Sequence, residues 1–332
     1  MVPFEAYCAH VNDPSSGLIT YAVPSDAAIE QRAPTFLERV YLEDEVTPFE
    51  WMAKKCLPAM SLSEATGGKL ERALRYRELM VHQGFRHEVR GVFALDEELW
   101  GCITTMREAS SPDFDVREVA FFGRIAPHLA AGLKAAALRH EAFAQPDGDA
   151  TVPGVLVLDG KGRVVQHTGA AERWLRELEE LPPGWPETGG LPSAVSSLVG
   201  ALRRTLRPET DQENHGVPRL LARARSGRWL TLHGARTEPH PTRGSETLII
   251  LEAAGPREVA WLRTSAYGLS DREREVVDLV VRGLSTKQIC QTLFISEYTV
   301  QDHLSHVFDK VGVRGRRALV KRLYLEGLSS LG

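Results

Sequence analysis

The sequence predicts two α+β regions followed by an all-α domain of four short helices. Three observations carry this. Residues 269–317 hold three polar N-cap signals, each followed by helically spaced apolar residues. Residues 87–108 and 154–167 alternate apolar and polar residues around short polar turns, as strand pairs do. Two stretches, EAFAQPDGDATVP (141–153) and GPREVAWLRTS (255–265), interrupt the patterning and read as linkers. The regions therefore span 1–145, 154–253 and 265–332.

In the first region, Thr35 to Asp44 and Phe49 to Cys56 are expected as helices. A charged, helix-like run, KLERALRYRELMVHQG, follows Gly67-Gly68 and closes at Gly84. HEVRGVFAL and LWGCITTMRE are expected to pair as a hairpin around Asp96-Glu97-Glu98. Asp115 to His140 reads as a long amphipathic helix, with Val119, Phe122, Ile125, Leu129 and Leu133 on one stripe. Pro127 inside it marks a kink or break, because proline lacks the amide proton that the helix needs there.

The second region opens on strand, Asp159-Gly160-Lys161-Gly162 turn, strand, and then a helix started by Thr168. A Pro/Gly loop and a second helix lie in LPPGWPETGGLPSAVSSLVGALRRTL. RWLTLHGARTE and ETLIILEAA read as closing strands.

The third region is the most explicit. Ser270 stands three residues before Glu273, and Ser285 three before Gln288, the spacing of capping boxes. Ser296 is placed to cap a third helix. Gly283 and Gly312 suit left-handed helix ends. Only a tight turn at Phe294-Ile295 fits between the second and third helices, which is a helix-turn-helix arrangement. On the third helix Val300, Leu304, Val307, Phe308 and Val311 share one face. Glu297, Gln301, Asp302, Ser305 and His306 share the other, and side chains of this kind can read base edges in a major groove. Lys310, Arg314, Arg316, Arg317, Lys321 and Arg322 then make the end of the chain basic, while Asp271, Glu273, Glu275 and Asp278 make the first helix acidic.

These residues resemble the DNA-binding domain of LuxR/FixJ-type transcription regulators, a four-helix helix-turn-helix. The likeness rests on Leu269-Ser270, Arg272-Glu273, Glu275-Val276, Gly283, Ser285, Lys287, Ile289, Leu293, Ile295-Ser296, Thr299-Val300, His303, Lys310 and Gly312-Val313. It implies base contacts from Gln301, Asp302 and Ser305, and phosphate contacts from Thr286, Lys287, Thr299, Lys310 and Arg314. It also implies that Leu319, Val320, Leu323 and Tyr324 of the last helix join two chains, so that a homodimer binds double-stranded DNA. Many members carry lysine at the position of Gln301 and basic or amide residues near Ser305, so this chain should prefer a different sequence.

The first region is similar to a GAF domain through Arg75-Tyr76-Arg77-Glu78, Glu88-Val89-Arg90, Trp100-Gly101 and Phe114 through Leu133. The opening of the second resembles a PAS domain. The resemblance implies a sensory region that gates the helix-turn-helix, its input being either a small-molecule effector or a partner protein.

Composition narrows the alternatives. The chain has 332 residues, 43% hydrophobic and 25% charged, with a formal net charge of -4. Any affinity for nucleic acid must therefore be local rather than global. No apolar run approaches the ~20 residues of a membrane helix, and no secretory signal is evident, so a cytoplasmic protein with no membrane partner is expected. Cys8, Cys56, Cys102 and Cys290 are scattered, without the spacing of a zinc site or a disulfide framework. The histidines show no i, i+4 ligand pair with a third ligand, and neither a nucleophile elbow, a phosphate loop nor a dinucleotide fingerprint is present. The expectation is a regulator with no catalytic residues, metal or cofactor.

Overall fold

A computed structural model describes residues 2–26, 29, 36–37, 46–95, 98–143, 152–187, 189–205, 218–239, 244–255, 258–259, 264 and 267–325. The chain divides into two compact units, one formed by Met1–Lys134 with Gly148–Ala253, the other by Ala135–Asp147 with Ala254–Gly332.

The first unit holds two five-stranded antiparallel sheets. Strands β1 (Ala6–Asn12), β2 (Ile19–Pro24), β3 (Ala59–Ser61), β4 (Phe85–Leu95) and β5 (Glu98–Glu108) lie in the order β2-β1-β5-β4-β3. Strands β6 (Gly154–Leu158), β7 (Val164–His167), β8 (Arg219–Arg223), β9 (Trp229–Arg236) and β10 (Thr247–Ala253) lie in the order β7-β6-β10-β9-β8. Numbered from their own first strands, the two sheets share one topology. Helices α1 (Phe49–Lys54), α2 (Leu62–Thr66) and α3 (Val116–Phe143) accompany the first sheet, and α4 (Gly169–Leu178) and α5 (Ser193–Thr205) the second.

The hairpin expected around residues 96–98 is present as β4 and β5, although Glu98 belongs to the second strand and residues 96–97 lie outside the described residues. The long helix is also present, with Pro127 inside it, and it runs on to Phe143. Its buried side is carried by Phe122, Ala126 and Ala130. Leu129, expected on that stripe, is exposed. The run 69–84 is not one helix: it breaks into 3-10 turns at Leu70–Arg72 and Val81–Gln83 around a wider turn at Tyr76–Met80. Gly84 ends it at φ 81, as its position suggested. The helix expected over 35–44 lies outside the described residues except for Phe36 and Leu37, as do residues 144–151 and most of the 255–265 linker.

The two halves of this unit share an apolar core. Ile19, Met52 and Val92 from the first half pack in the same cluster as Leu156, Leu198 and Leu232 from the second. Polar ties add to it: the Leu221 amide donates to Asp13 Oδ2 at 3.0 Å, and Arg204 lies 3.8 Å from Glu50. In the second half Thr168 caps α4 by accepting from the Ala171 amide. The strand β6 passes so close to that helix that a Cβ on Gly154 would meet Ala171 Cα at 2.5 Å, which explains the glycine.

An ion cluster is buried in the first sheet. Arg75 Nε donates to both Glu88 oxygens at 2.9 and 3.1 Å, and Arg90 Nε lies 3.2 Å from Glu88 Oε1. Thr47 joins both arginines, accepting from Arg75 through its hydroxyl and from Arg90 through its carbonyl. Burial pushes the Glu88 carboxyl up, but the two guanidinium groups outweigh it and hold it below the ordinary carboxylate value.

The second unit is helical: α6 (Asp271–Val281), α7 (Thr286–Leu293), α8 (Glu297–Val311) and α9 (Arg316–Val320), the last continued by a wider turn through Leu325. Val276, Ile289, Val300, Leu304, Val307 and Leu319 form its core. No helix among the described residues is long and apolar enough to cross a membrane.

Candidate nucleic-acid interface

Three serines place the helices of the second unit. Ser270 accepts from the Glu273 amide, and Glu273 Oε2 accepts in return from the Ser270 amide at 2.7 Å. Ser285 and Gln288 form the same reciprocal box. Ser296 accepts from the Thr299 amide at 3.1 Å and starts α8. Each satisfies amide protons that a helix start would otherwise leave without a partner. Gly283 (φ 85) follows α6 and Gly312 (φ 71) ends α8. Between α7 and α8 the turn is made by Phe294 at φ 55, a left-handed conformation that a bulky residue seldom adopts.

Helix α8 buries Val300, Leu304, Val307 and Val311, with Phe308 half-buried. Gln301, Asp302 and Ser305 are exposed together on the opposite side. Gln301 Nε2 reaches Thr286 Oγ1 at 3.4 Å, and the same oxygen accepts from Arg316 Nη2 at 2.9 Å. Arg316 Nη1 also donates to the Leu284 carbonyl at 2.7 Å. The start of α7, the exposed face of α8 and the start of α9 are thus tied through one threonine hydroxyl. Arg316 was not among the expected site residues. Its signal was available in the basic run, but its direction was not.

Of the residues expected to meet phosphate, Lys287 and Arg314 are exposed, while Thr286 and Thr299 are half-buried, Thr299 Oγ1 lying 2.8 Å from Ser296 Oγ. Lys310 has a different environment. Its ammonium donates to Glu273 Oε2 at 2.7 Å and to the Gly268 carbonyl at 3.3 Å, so it bolts α8 to the capping box of α6. Burial raises the Glu273 carboxyl's proton affinity, but Lys310 and the Ser270 hydrogen bonds reverse that and hold it below the ordinary value.

Of the residues expected to join two chains, Leu319 and Leu323 are fully buried in this unit's own core. Both side chains thus pack within their own chain. Val320 is half-buried, and the Tyr324 side chain lies outside the described residues.

Two aromatics were not expected among the site residues. Phe294 is 93% and Tyr298 82% exposed. Tyr298 precedes Gln301, Asp302 and Ser305 by three, four and seven residues, the spacing of one helical face. That spacing was readable, but the apolar pattern of the opposite side drew the assignment. The arrangement is a short helix, held at its start by a side-chain cap and by a network at its flank, presenting amide, carboxylate, hydroxyl and phenol groups outward.

A family model described as "Bacterial regulatory proteins, luxR family" matches residues 267–323. The spore germination protein GerE of Bacillus subtilis is 48% identical over 59 residues, 18% of this chain and 80% of that protein. The transcriptional regulatory protein DesR of the same organism is 39% identical over 61 residues, 18% of this chain and 31% of its own length. A putative HTH-type transcriptional regulator of Mycobacterium tuberculosis is 47% identical over 62 residues, but there the match spans only 7% of the longer protein. Among solved structures, the ligand- and DNA-bound VqmA of Vibrio cholera aligns with 58% of this chain and 88% of its own, at 17% identity and a TM-score of 0.25. The family match falls on the helical unit, whose caps, turn and core are described above. On that unit the chain belongs to the luxR family of bacterial regulatory proteins, a family of DNA-binding transcription regulators rather than of enzymes.

Proposed function

We propose that the chain binds duplex DNA as a homodimer through residues 265–332 and that the first unit, a GAF-like half followed by a PAS-like half, gates this binding. The observation that carries the DNA reading is the exposed face of α8, where Gln301, Asp302 and Ser305 stand together on a helix fixed at its start. Gln301 would pair with an adenine edge and Asp302 would accept from cytosine N4. Lys287, Arg314, Thr286 and Thr299 would set the register along the phosphates. Pairing through α9 would rest on Val320 and its solvent-facing neighbours, since the two leucines are taken up internally. The shared strand order of the two sheets supports reading the first unit as two related sensory modules.

Selection of bound sites from a random DNA pool, followed by titration of the full chain, tests the reading. Gln301→Ala should weaken the selected site by roughly 1–3 kcal/mol and relax preference at a single base pair. Equal loss on selected and random DNA would remove Gln301 from base reading.

A further inference from the structure

A cavity of about 60 Å³ lies against the first sheet. It is walled by Cys8, Ile29, Leu79, Met80, Thr104 and Met106, and its lining is mostly apolar. Cys8 and Thr104 face each other across β1 and β5, so one side of the cavity is set by strand register. Besides the half-buried Gln83, three polar groups reach it. Two of them, Arg75 and Glu88, are engaged with each other through paired hydrogen bonds of 2.9 and 3.1 Å, and Arg75 also donates to Thr47. The third is Thr104. It is 5% exposed, and its hydroxyl oxygen has no hydrogen-bond partner among the described residues. A buried hydroxyl without a partner is costly, so a site that satisfied it would gain what folding leaves unmade. Burial also pushes the Cys8 thiol up to about 12, so it stays neutral there.

Taken together, we infer that this cavity binds a small uncharged molecule, with a short apolar body against Met80 and Met106 and one oxygen hydrogen-bonded to Thr104. The proposal rests on the reading of the first unit as sensory and gives that reading its ligand class. The volume holds a body of only a few heavy atoms, since one water needs about 10–15 Å³ of such space. A charged ligand is disfavoured. The guanidinium at the wall is already paired with a carboxylate, so an anion would exchange its water for uncharged partners only.

The test uses the full chain labelled with ¹³C on its methionine methyl groups, titrated with 1-butanol and, separately, with butyrate. Saturable shifts are expected at Met80 and Met106 with 1-butanol, with none at Met52 and Met60 and none from butyrate. Thr104→Val should weaken 1-butanol roughly five-fold, the effect of one hydrogen bond, whereas Thr104→Ser should keep the wild-type affinity. Cys8→Leu, which fills the cavity, should abolish the shifts while the thermal unfolding midpoint is held. Butyrate binding as well as 1-butanol, or an unchanged affinity in Thr104→Val, overturns the inference, as does the absence of any shift at Met80 and Met106. DNA affinity is measured in the same samples. Binding of 1-butanol with no change in DNA affinity would leave the site standing and reject gating. Intact DNA binding without methyl shifts would reject the site and leave the DNA-binding reading standing.

Discussion

The helical unit and the first sheet solve opposite problems with their polar groups. In the helical unit the polar side chains work at the surface. Serines cap helices, Arg316 and Gln301 meet at Thr286, and among the described residues only Glu273 of the charged ones is buried. In the first sheet the charges lie inside, with Arg75, Glu88 and Arg90 all closed from solvent and His10 beside them. The two regions should therefore fail differently: a surface network loses a little with each side chain, whereas a buried cluster leaves a charge stranded when one member is removed.

The largest expected effect follows directly. Glu88→Ala removes the carboxylate on which both guanidinium groups converge. The first unit should lose about 3–5 kcal/mol, the cost of breaking a buried pair by one partner. Denaturant unfolding followed by a probe in each unit checks this, with the helical unit's transition expected to stay where it was. A loss below about 1 kcal/mol would mean that the cluster is wet and behaves like the surface networks.

Acid should widen the contrast. His10 lies buried between Phe36 and Phe49, its Nδ1 3.6 Å from Cys102 Sγ. Burial, helped by the nearby Arg90, lowers its pKa from 6.5 to about 3. Because the folded value lies below the unfolded one, protonation favours the unfolded chain. The stabilisation is complete above pH 6.5 and declines as pH falls towards 3, by up to about 1.4 kcal/mol per pH unit. His10→Phe should flatten that slope in the first unit. An unchanged slope would place the acid sensitivity elsewhere.

The same contrast decides what could be read in advance. The helical unit was legible down to single residues, because caps and left-handed ends are written in local spacing. Ser270, Ser285, Ser296 and Gly312 all act where their positions said they would. The first unit was legible only where apolar residues alternate. Strand β1 was missed because its inward positions are Ala6, Cys8, His10 and Asn12, half of them polar. Strand β8 was missed because two arginines bracket a core of only three residues. The run 69–84 misled because its charges suit a helix, whereas Leu70, Tyr76 and Met80 follow the pocket they fill. At the interface the exposed and the apolar core positions were legible, and the polar ties between helices were not. The basic charge of Lys310 says nothing of the carboxylate that it meets.

Lys310 tests where the two kinds of network join, since its ammonium is partly exposed while Glu273 is not. Lys310→Met should lower the stability of the helical unit by about 1 kcal/mol, a value kept small by solvent at the lysine end. The salt dependence of DNA binding should be unchanged. A slope flattened by about 0.9 at constant stability would instead make Lys310 a phosphate ligand.

The smallest effect is expected at the turn, where the sequence departs from local rule without burial to explain it. Phe294 holds φ 55 with its ring almost wholly in solvent. A left-handed residue with a Cβ costs roughly 1–2 kcal/mol, and glycine would relieve it while adding freedom to the unfolded chain. The two terms oppose each other, so Phe294→Gly should leave the free protein within about 1 kcal/mol of the parent, on the more stable side. Substitution of a packed aromatic would cost several times that in the other direction. Calorimetry of the free protein separates the cases, because only a ring that packs within its own chain can cost the glycine variant about 3 kcal/mol or more. If the free protein keeps its stability and DNA affinity falls, the strain at Phe294 serves the bound state, and the ring with Tyr298 extends the face that Gln301, Asp302 and Ser305 begin.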